Sequence, residues 1–344
     1  MHELTENDRI VLRWLLLCLL LVFSMVLLGG ATRLTESGLS MVTWHPTGMM
    51  PPLDDGQWQA EFERYQQYPE FQKINREMTL AGFKEIFWFE YSHRMLGRLI
   101  GIVFLVPFAW LWLRGRIKPK LVPRLAIIFL LGGLQGLLGW YMVKSGLVND
   151  PRVSQYRLTA HLLSALLIYG FILWTVLNLA FPGNYRRLAE SAMPGWRKLA
   201  LLLLALLVIT IASGGFVAGL DAGLIYNTFP LMGGSLFPEG LGALQPWYLN
   251  PFENMVTVQF NHRWLALFTA TLLLIWYLRG RRRFEDPAVS RSFKLIGMMV
   301  IIQVGLGIST LLMQVPVLLG VLHQAGALLL LSALLYNLYA LSRV

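Results

Sequence analysis

The chain has 344 residues, of which 56% are hydrophobic and only 14% charged. With a mean hydropathy of +0.56, that composition excludes an ordinary soluble domain and places the chain among integral membrane proteins. Its net charge of +10 does not point to nucleic acid, because the basic residues gather between apolar runs and so carry a topology signal.

About 20 apolar residues are needed to cross the hydrocarbon core as a helix, and eight runs qualify in chain order. The first covers residues 14–31. The stretch before it lacks the basic start of a cleaved signal, so this span is expected to be retained. It holds the single cysteine, Cys18, so no intramolecular disulfide is expected. A long acidic segment follows (Glu36, Asp54, Asp55, Glu61, Glu63, Glu70, Glu77, Glu85), leading to spans at 95–113, 125–143 and 158–181. The remaining spans are 199–220, 264–278, 295–316 and 317–342. The sixth is the shortest, and the tight joint at Pro316 is where two spans risk merging into one. Basic clusters follow the second span (Arg114, Arg116, Lys118, Lys120, Arg124), the fourth (Arg186, Arg187, Arg197, Lys198) and the sixth (Arg279, Arg281, Arg282, Arg283). By the positive-inside rule both termini are therefore expected in the cytoplasm.

The spans repeat. Gly29-Gly30 and Leu34-Thr35-Glu36-Ser37-Gly38-Leu39 match Gly214-Gly215 and Leu220-Asp221-Ala222-Gly223-Leu224, allowing one gap. Phe89-Glu90-Tyr91-Ser92-His93-Arg94 matches Val258-Gln259-Phe260-Asn261-His262-Arg263. Gln135-Gly136-Leu137-Leu138-Gly139 matches Gln303-Val304-Gly305-Leu306-Gly307, and a further histidine follows each, His161 or His323. Single matches among apolar residues are weak, but three in the same order are not. The chain therefore reads as an all-α integral membrane protein with eight transmembrane helices in two pseudo-symmetric four-helix bundles. The first covers residues 1–190 and the second 191–344. With four spans each, both enter the membrane from the same side as parallel repeats.

On that topology every even-numbered span runs from outside to inside. His93, His161 and His262 start such spans, and His323 lies two turns into its own, about 10 Å down. All four share one depth in the outer part of the bilayer. His2 and His45 have no counterpart and are expected to be structural or solvated. One interfacial histidine is ordinary, whereas two per repeat at matching positions suggest ligands. Zinc normally takes three or four ligands, often cysteine or carboxylate; paired histidines on facing helices suit the axial positions of a heme iron. Gly132, Gly133, Gly136, Gly139, Gly297, Gly305 and Gly307 would leave room for a flat ring, or serve close helix packing. Arg94 and Arg263 follow two of the histidines; they either meet heme propionates or snorkel to the interface.

The repeat breaks at one ionisable position. Glu90 shares a helix face with His93, while its counterpart Gln259 is neutral. A carboxylate near hydrocarbon costs up to roughly 3 kcal/mol. One half thus looks built to hold a cofactor, and the other adds a reactive group beside its ligand.

Together, Glu90-Tyr91-Ser92-His93-Arg94, His161, Asn261-His262-Arg263 and Val321-Leu322-His323-Gln324 resemble heme A synthase over nearly the whole chain. The Thr32–Ser40 stretch and the long outer loop look like the proteobacterial and mitochondrial subtype. The resemblance implies an oxidoreductase of the bacterial inner membrane that oxidises the C8 methyl of heme O, through an alcohol, to the formyl group of heme A. It implies a resident heme b on His262 and His323, and heme O as substrate between His93 and His161 with Glu90 catalytic. Glu90 would accept a proton or stabilise developing positive charge. The outer-loop cysteine pair of some members is missing here, so a thiol-dependent step cannot apply. Membrane lipid, heme O synthase, cytochrome oxidase assembly factors and a second copy of the chain are the partners the resemblance and pathway logic imply. Two alternatives stay open on the residues alone. A di-heme b-type cytochrome carrying electrons from quinol would be expected to place ligands at two depths. A histidine-based transporter would be expected to spread polar residues through the midplane.

Overall fold

The computed structural model describes residues 4–43, 48, 50–146, 153–181 and 194–343. His2, His45, Arg186 and Arg187 lie outside the described residues. The described chain is all-helical, and its long helices are α1 (Glu6–Leu34), α4 (Leu80–Leu113), α5 (Val122–Gly146), α6 (Gln155–Ala180), α7 (Pro194–Gly219), α9 (Met255–Arg283), α10 (Pro287–Leu312) and α11 (Val317–Leu341). Short helices α2 (Asp55–Gln66), α3 (Pro69–Lys73) and α8 (Asn250–Glu253) fill the connections after α1 and before α9. Starts are set by side-chain caps where polar residues meet apolar runs. Thr5, Thr79, Asn254 and Asp286 each accept from a backbone N–H of the first turn. The joint at Pro316 is a real break: α10 ends at Leu312, and Pro316 caps α11.

Among the described residues, 7 helices are long and apolar enough to cross a membrane: α1, α4, α5, α6, α7, α10 and α11. The remaining long helix, α9, contains the expected sixth span. Its charge sits at the ends, in Arg263 and in the run Arg279 to Arg283, leaving residues 264–278 uncharged. It is packed like the others. Leu273 and Trp276 are buried, and a Cβ on Gly280 would collide with Phe293 of α10. Trp276 also donates to Asn337 of α11 at 3.1 Å.

The helix neighbours follow a pattern. In the first half α1 packs on α4 and α6, and α5 on α4 and α6. In the second α7 packs on α9 and α11, and α10 on α9 and α11. Across the halves α1 meets α11 and α6 meets α7. The main apolar core runs through all of these helices.

The helices mostly begin earlier than their apolar runs suggest, most of all α4 at Leu80, not residue 95, and α9 at Met255, not 264. For α4 the cause is a second apolar core. Phe83 and Phe87 on its first turns are buried with Trp58, Phe62 and Tyr65 of α2 and with Met41. Partner aromatics on α2, not lipid, cover this part of α4. The repeat also registers without the gap that the sequence suggested. Glu36 and Asp221 adopt the same left-handed backbone, at φ 52° and 53°, so Asp221 matches Glu36 and the segments from Gly29 and Gly214 run in step.

Candidate functional site

The four histidines sit on α4, α6, α9 and α11, and each ring lies against a glycine of a neighbouring long helix. A Cβ on Gly29 would meet His93 Nε2 at 3.2 Å, and one on Gly214 would meet His262 Cε1 at 3.0 Å. On Gly139 it would meet His161 Cε1 at 3.0 Å, and on Gly307 His323 Cε1 at 2.9 Å. These glycines occupy equivalent positions of the sequence repeat, and in each case the missing side chain leaves room for an imidazole against the next helix. All four histidines are only half-buried. The other glycines divide. Gly132, Gly133, Gly136 and Gly305 have open space where a Cβ would point, whereas Gly297 is packed by Tyr277 at 2.7 Å and serves helix packing.

Beside His93, Glu90 is 2% exposed and fully engaged. Its Oε2 accepts from the Ser40 hydroxyl and the Met41 N–H, both at 2.7 Å. Its Oε1 pairs with Arg94 at 2.5 Å. Arg94 also donates to the carbonyls of Met41 (2.8 Å) and Thr43 (3.0 Å). The second half builds the same latch without the acid. Gln259 donates to the Tyr226 carbonyl at 3.0 Å, and Arg263 to the carbonyls of Tyr226 and of Thr228 (2.7 Å). Each arginine thus ties its helix to the connection following the glycine-bearing helix. Gln259 Oε1 and Arg263 Nε are buried without partners.

Ring partners distinguish the halves. Ser213 lies 2.8 Å from His262 Nδ1, and Gln303 lies 3.2 Å from His323 Nδ1 while donating to its carbonyl at 3.0 Å. In the first half Gln135 donates to the His161 carbonyl at 2.9 Å, but its oxygen is taken by Ser164, and His161 Nδ1 is buried without a partner.

Outside the membrane, a second acid approaches the first-half site. Glu70 is buried with one oxygen unpartnered. Burial pushes its carboxyl up to about 8, aided by the charges of Glu90 and Glu36 and opposed by a hydrogen bond from Tyr65. The Tyr65 hydroxyl is itself pushed up by burial and by Glu70.

No three His, Cys, Asp or Glu side chains converge on a metal position among the described residues. Two imidazoles per half, each against a glycine, are a donor set that would suit the axial positions of a heme iron. The COX15-CtaA family model, described as a cytochrome oxidase assembly protein, matches residues 12–335. The chain belongs to that family. COX15-CtaA relatives are similar along their length. The heme A synthase of Paramagnetospirillum magneticum is 52% identical over 339 residues, covering 96% of this chain and 93% of its own. That of Nitrosospira multiformis is 49% identical over 331 residues, covering 96% and 93%. Heme A synthase COX15 of Homo sapiens is 47% identical over 345 residues, covering 98% and 84%.

Sequence matching found Glu90, His93, Arg94, His161, His262, Arg263 and His323 because the repeat marks them. It missed Ser40 and Met41, which engage Glu90, and Ser213. Ser213 directly precedes Gly214-Gly215, where the first half has Leu28, and a comparison that looks for matches passes over a mismatch.

Proposed function

We propose that the chain is a heme A synthase that oxidises the C8 methyl of heme O to a formyl group. The observation carrying this reading is the twofold recurrence of paired, glycine-backed histidines with a buried acid beside only one pair. Equivalent ligand pairs suit two hemes, and the asymmetry at Glu90 suits different tasks for them.

Two four-helix bundles, residues 1–190 and 191–344, are supported by the helix neighbours. An eighth span at α9 is supported by its buried face and by an uncharged stretch of about 22 Å at 1.5 Å per residue. His93 and His161 would hold heme O as substrate, and His262 and His323 a heme b. That heme b would supply one-electron transfer. Glu90 and Arg94 close the connection at Ser40–Thr43 beside the first-half site. With Oε2 taken by Ser40 and Met41 and Oε1 by Arg94, Glu90 would have to loosen one of these bonds to take part in the oxidation, whether as proton acceptor or by stabilising positive charge. Arg94 and Arg263 spend their donors on loop carbonyls, so holding the outer connections is their first role, ahead of pairing propionates. The clustered arginines in the last turns of α9 and the basic turn after α4 support cytoplasmic termini; a bacterial inner membrane is the location this reading implies.

The test is mass identification of the porphyrins bound to the purified wild type and to His93→Ala and His262→Ala. Heme b together with heme O or A is expected in the wild type. His93→Ala should lose the O or A pigment, and His262→Ala the heme b. A heme-free wild type that still converts heme O, or only b-type heme throughout, sinks the reading.

A further inference from the structure

The two ligand pairs are alike in spacing and glycine backing but differ in what holds the far side of each ring. Ser213 Oγ lies between the Thr210 carbonyl at 2.7 Å and His262 Nδ1 at 2.8 Å. Iron binding through Nε2 would put the imidazole proton on Nδ1; the hydroxyl can then accept from that N–H while giving its own proton to the Thr210 carbonyl. A hydrogen bond accepted from the outer nitrogen also fixes the ring and makes it a stronger donor.

The first half lacks this anchor. Leu28 occupies the position of Ser213, and the His93 ring has no hydrogen-bond partner among the described residues. Its orientation differs too. His93 turns Nε2 toward its glycine, whereas the other three histidines turn Cε1. The second ligand pair repeats the contrast. The Gln303 Nε2 that donates to the His323 carbonyl also lies 3.2 Å from His323 Nδ1. The Gln303 oxygen leans into space left by Gly326, where any Cβ would collide with it. At the matching position the first half has Ser164, which holds the Gln135 oxygen, and His161 Nδ1 stays unpartnered.

We propose that Ser213 is a positioning residue that makes the second-half site a resident one, and that Leu28 at the equivalent place leaves the first-half site exchangeable. An enzyme whose substrate and product are both hemes must release one ring and keep the other, and this serine-for-leucine exchange separates the two tasks. The inference rests on the heme reading above.

The test uses the full-length protein in detergent, following transfer of each bound heme to excess apomyoglobin, with heme b distinguished from heme O or A by mass. In the wild type, heme b is expected to leave at least tenfold more slowly. Loss of an outer partner to a ligating histidine typically weakens binding 10–100-fold, so Ser213→Ala should speed heme b loss about tenfold. If that weakening falls on the ferric state, the heme b midpoint potential rises by about 59 mV. Ser213→Thr, which keeps the hydroxyl, should restore both. Leu28→Ser should slow loss of the first-half heme, and it tests the idea even if Ser213→Ala fails to accumulate. Wild-type rates and potential in Ser213→Ala, or an unchanged first-half rate in Leu28→Ser, would overturn the proposal while leaving the heme assignment intact. A wild type without heme b, or heme b retained in His262→Ala, would instead remove the assignment and the proposal with it.

Discussion

Glu90 and Arg94, one turn apart on α4, grip the backbone of Met41 from both sides: the carboxylate accepts from its N–H and the guanidinium donates to its carbonyl. Their own 2.5 Å contact closes the ring of bonds. The acid thus has a structural task beside the chemical one proposed for it, and substitutions separate them. Breaking a buried ion pair by removing one partner costs about 3–5 kcal/mol, so Glu90→Ala should lower stability on that scale and loosen the outer connection. Glu90→Gln keeps the shape found naturally at Gln259 but removes the counter-charge of Arg94 and sets an NH2 against a donor, so it should cost about 1–3 kcal/mol, less than Glu90→Ala. Both should lose heme A formation. Denaturation in detergent beside a turnover assay checks this, and full turnover by Glu90→Gln would remove the acid from the chemistry.

The four glycine-backed histidines were legible because identity and order recur along the chain, and recurrence survives without knowing any contact. What stayed hidden was contact-dependent. Composition made the first turns of α4 look like the end of a polar loop, since Phe83 and Phe87 are apolar only toward α2 and Met41. The register between Gly29 and Leu39 looked gapped because Glu36 and Asp221 share a left-handed backbone, not a residue type. Arg94 and Arg263 read equally well as propionate partners or interfacial cations, and the carbonyls that take their donors belong to loops with no sequence signature.

The backing glycines make a graded prediction. Gly139→Ala places a methyl 3.0 Å from the His161 ring, and Gly307→Ala places one 2.9 Å from His323. Overpacking of this kind costs roughly 1–3 kcal/mol or moves the ring. Each should reduce heme in its own half, read from the b-to-O/A pigment ratio. Gly136→Ala, with nothing within 4 Å of its Cβ, should leave the ratio unchanged.

Asn337 on α11 offers a test of how α9 is held. It is 0% exposed, accepts from Trp276 of α9 at 3.1 Å and donates to Ser292 of α10 at 2.8 Å. Asn337→Leu strands the Trp276 N–H in a dry core, at about 1–3 kcal/mol, while Ser292 keeps its bond to the Val289 carbonyl. A fall in stability of at least that size, measured by thermal denaturation, is expected. An unchanged midpoint would mean that α9 is not secured there.

Glu70 predicts a pH dependence confined to the extramembrane cap. Burial first, then the charges of Glu90 and Glu36, raise its carboxyl from an ordinary 4.5 to about 8. With the folded value raised, the folded state binds more protons than the unfolded chain between those limits. Stability from this group is therefore whole below about 4.5 and is lost as pH rises toward 8, where the folded carboxyl finally ionises. Glu70→Gln removes the cost, since a neutral amide needs no ionisation. The variant should match the wild type near pH 5 and melt at a higher temperature at pH 8, with the difference levelling off above that. Melting curves from pH 5 to 9, followed by the fluorescence of the aromatic cluster around Trp58, decide it. A wild type and a variant that stay parallel across this range would show that Glu70 keeps an ordinary carboxylate in the fold.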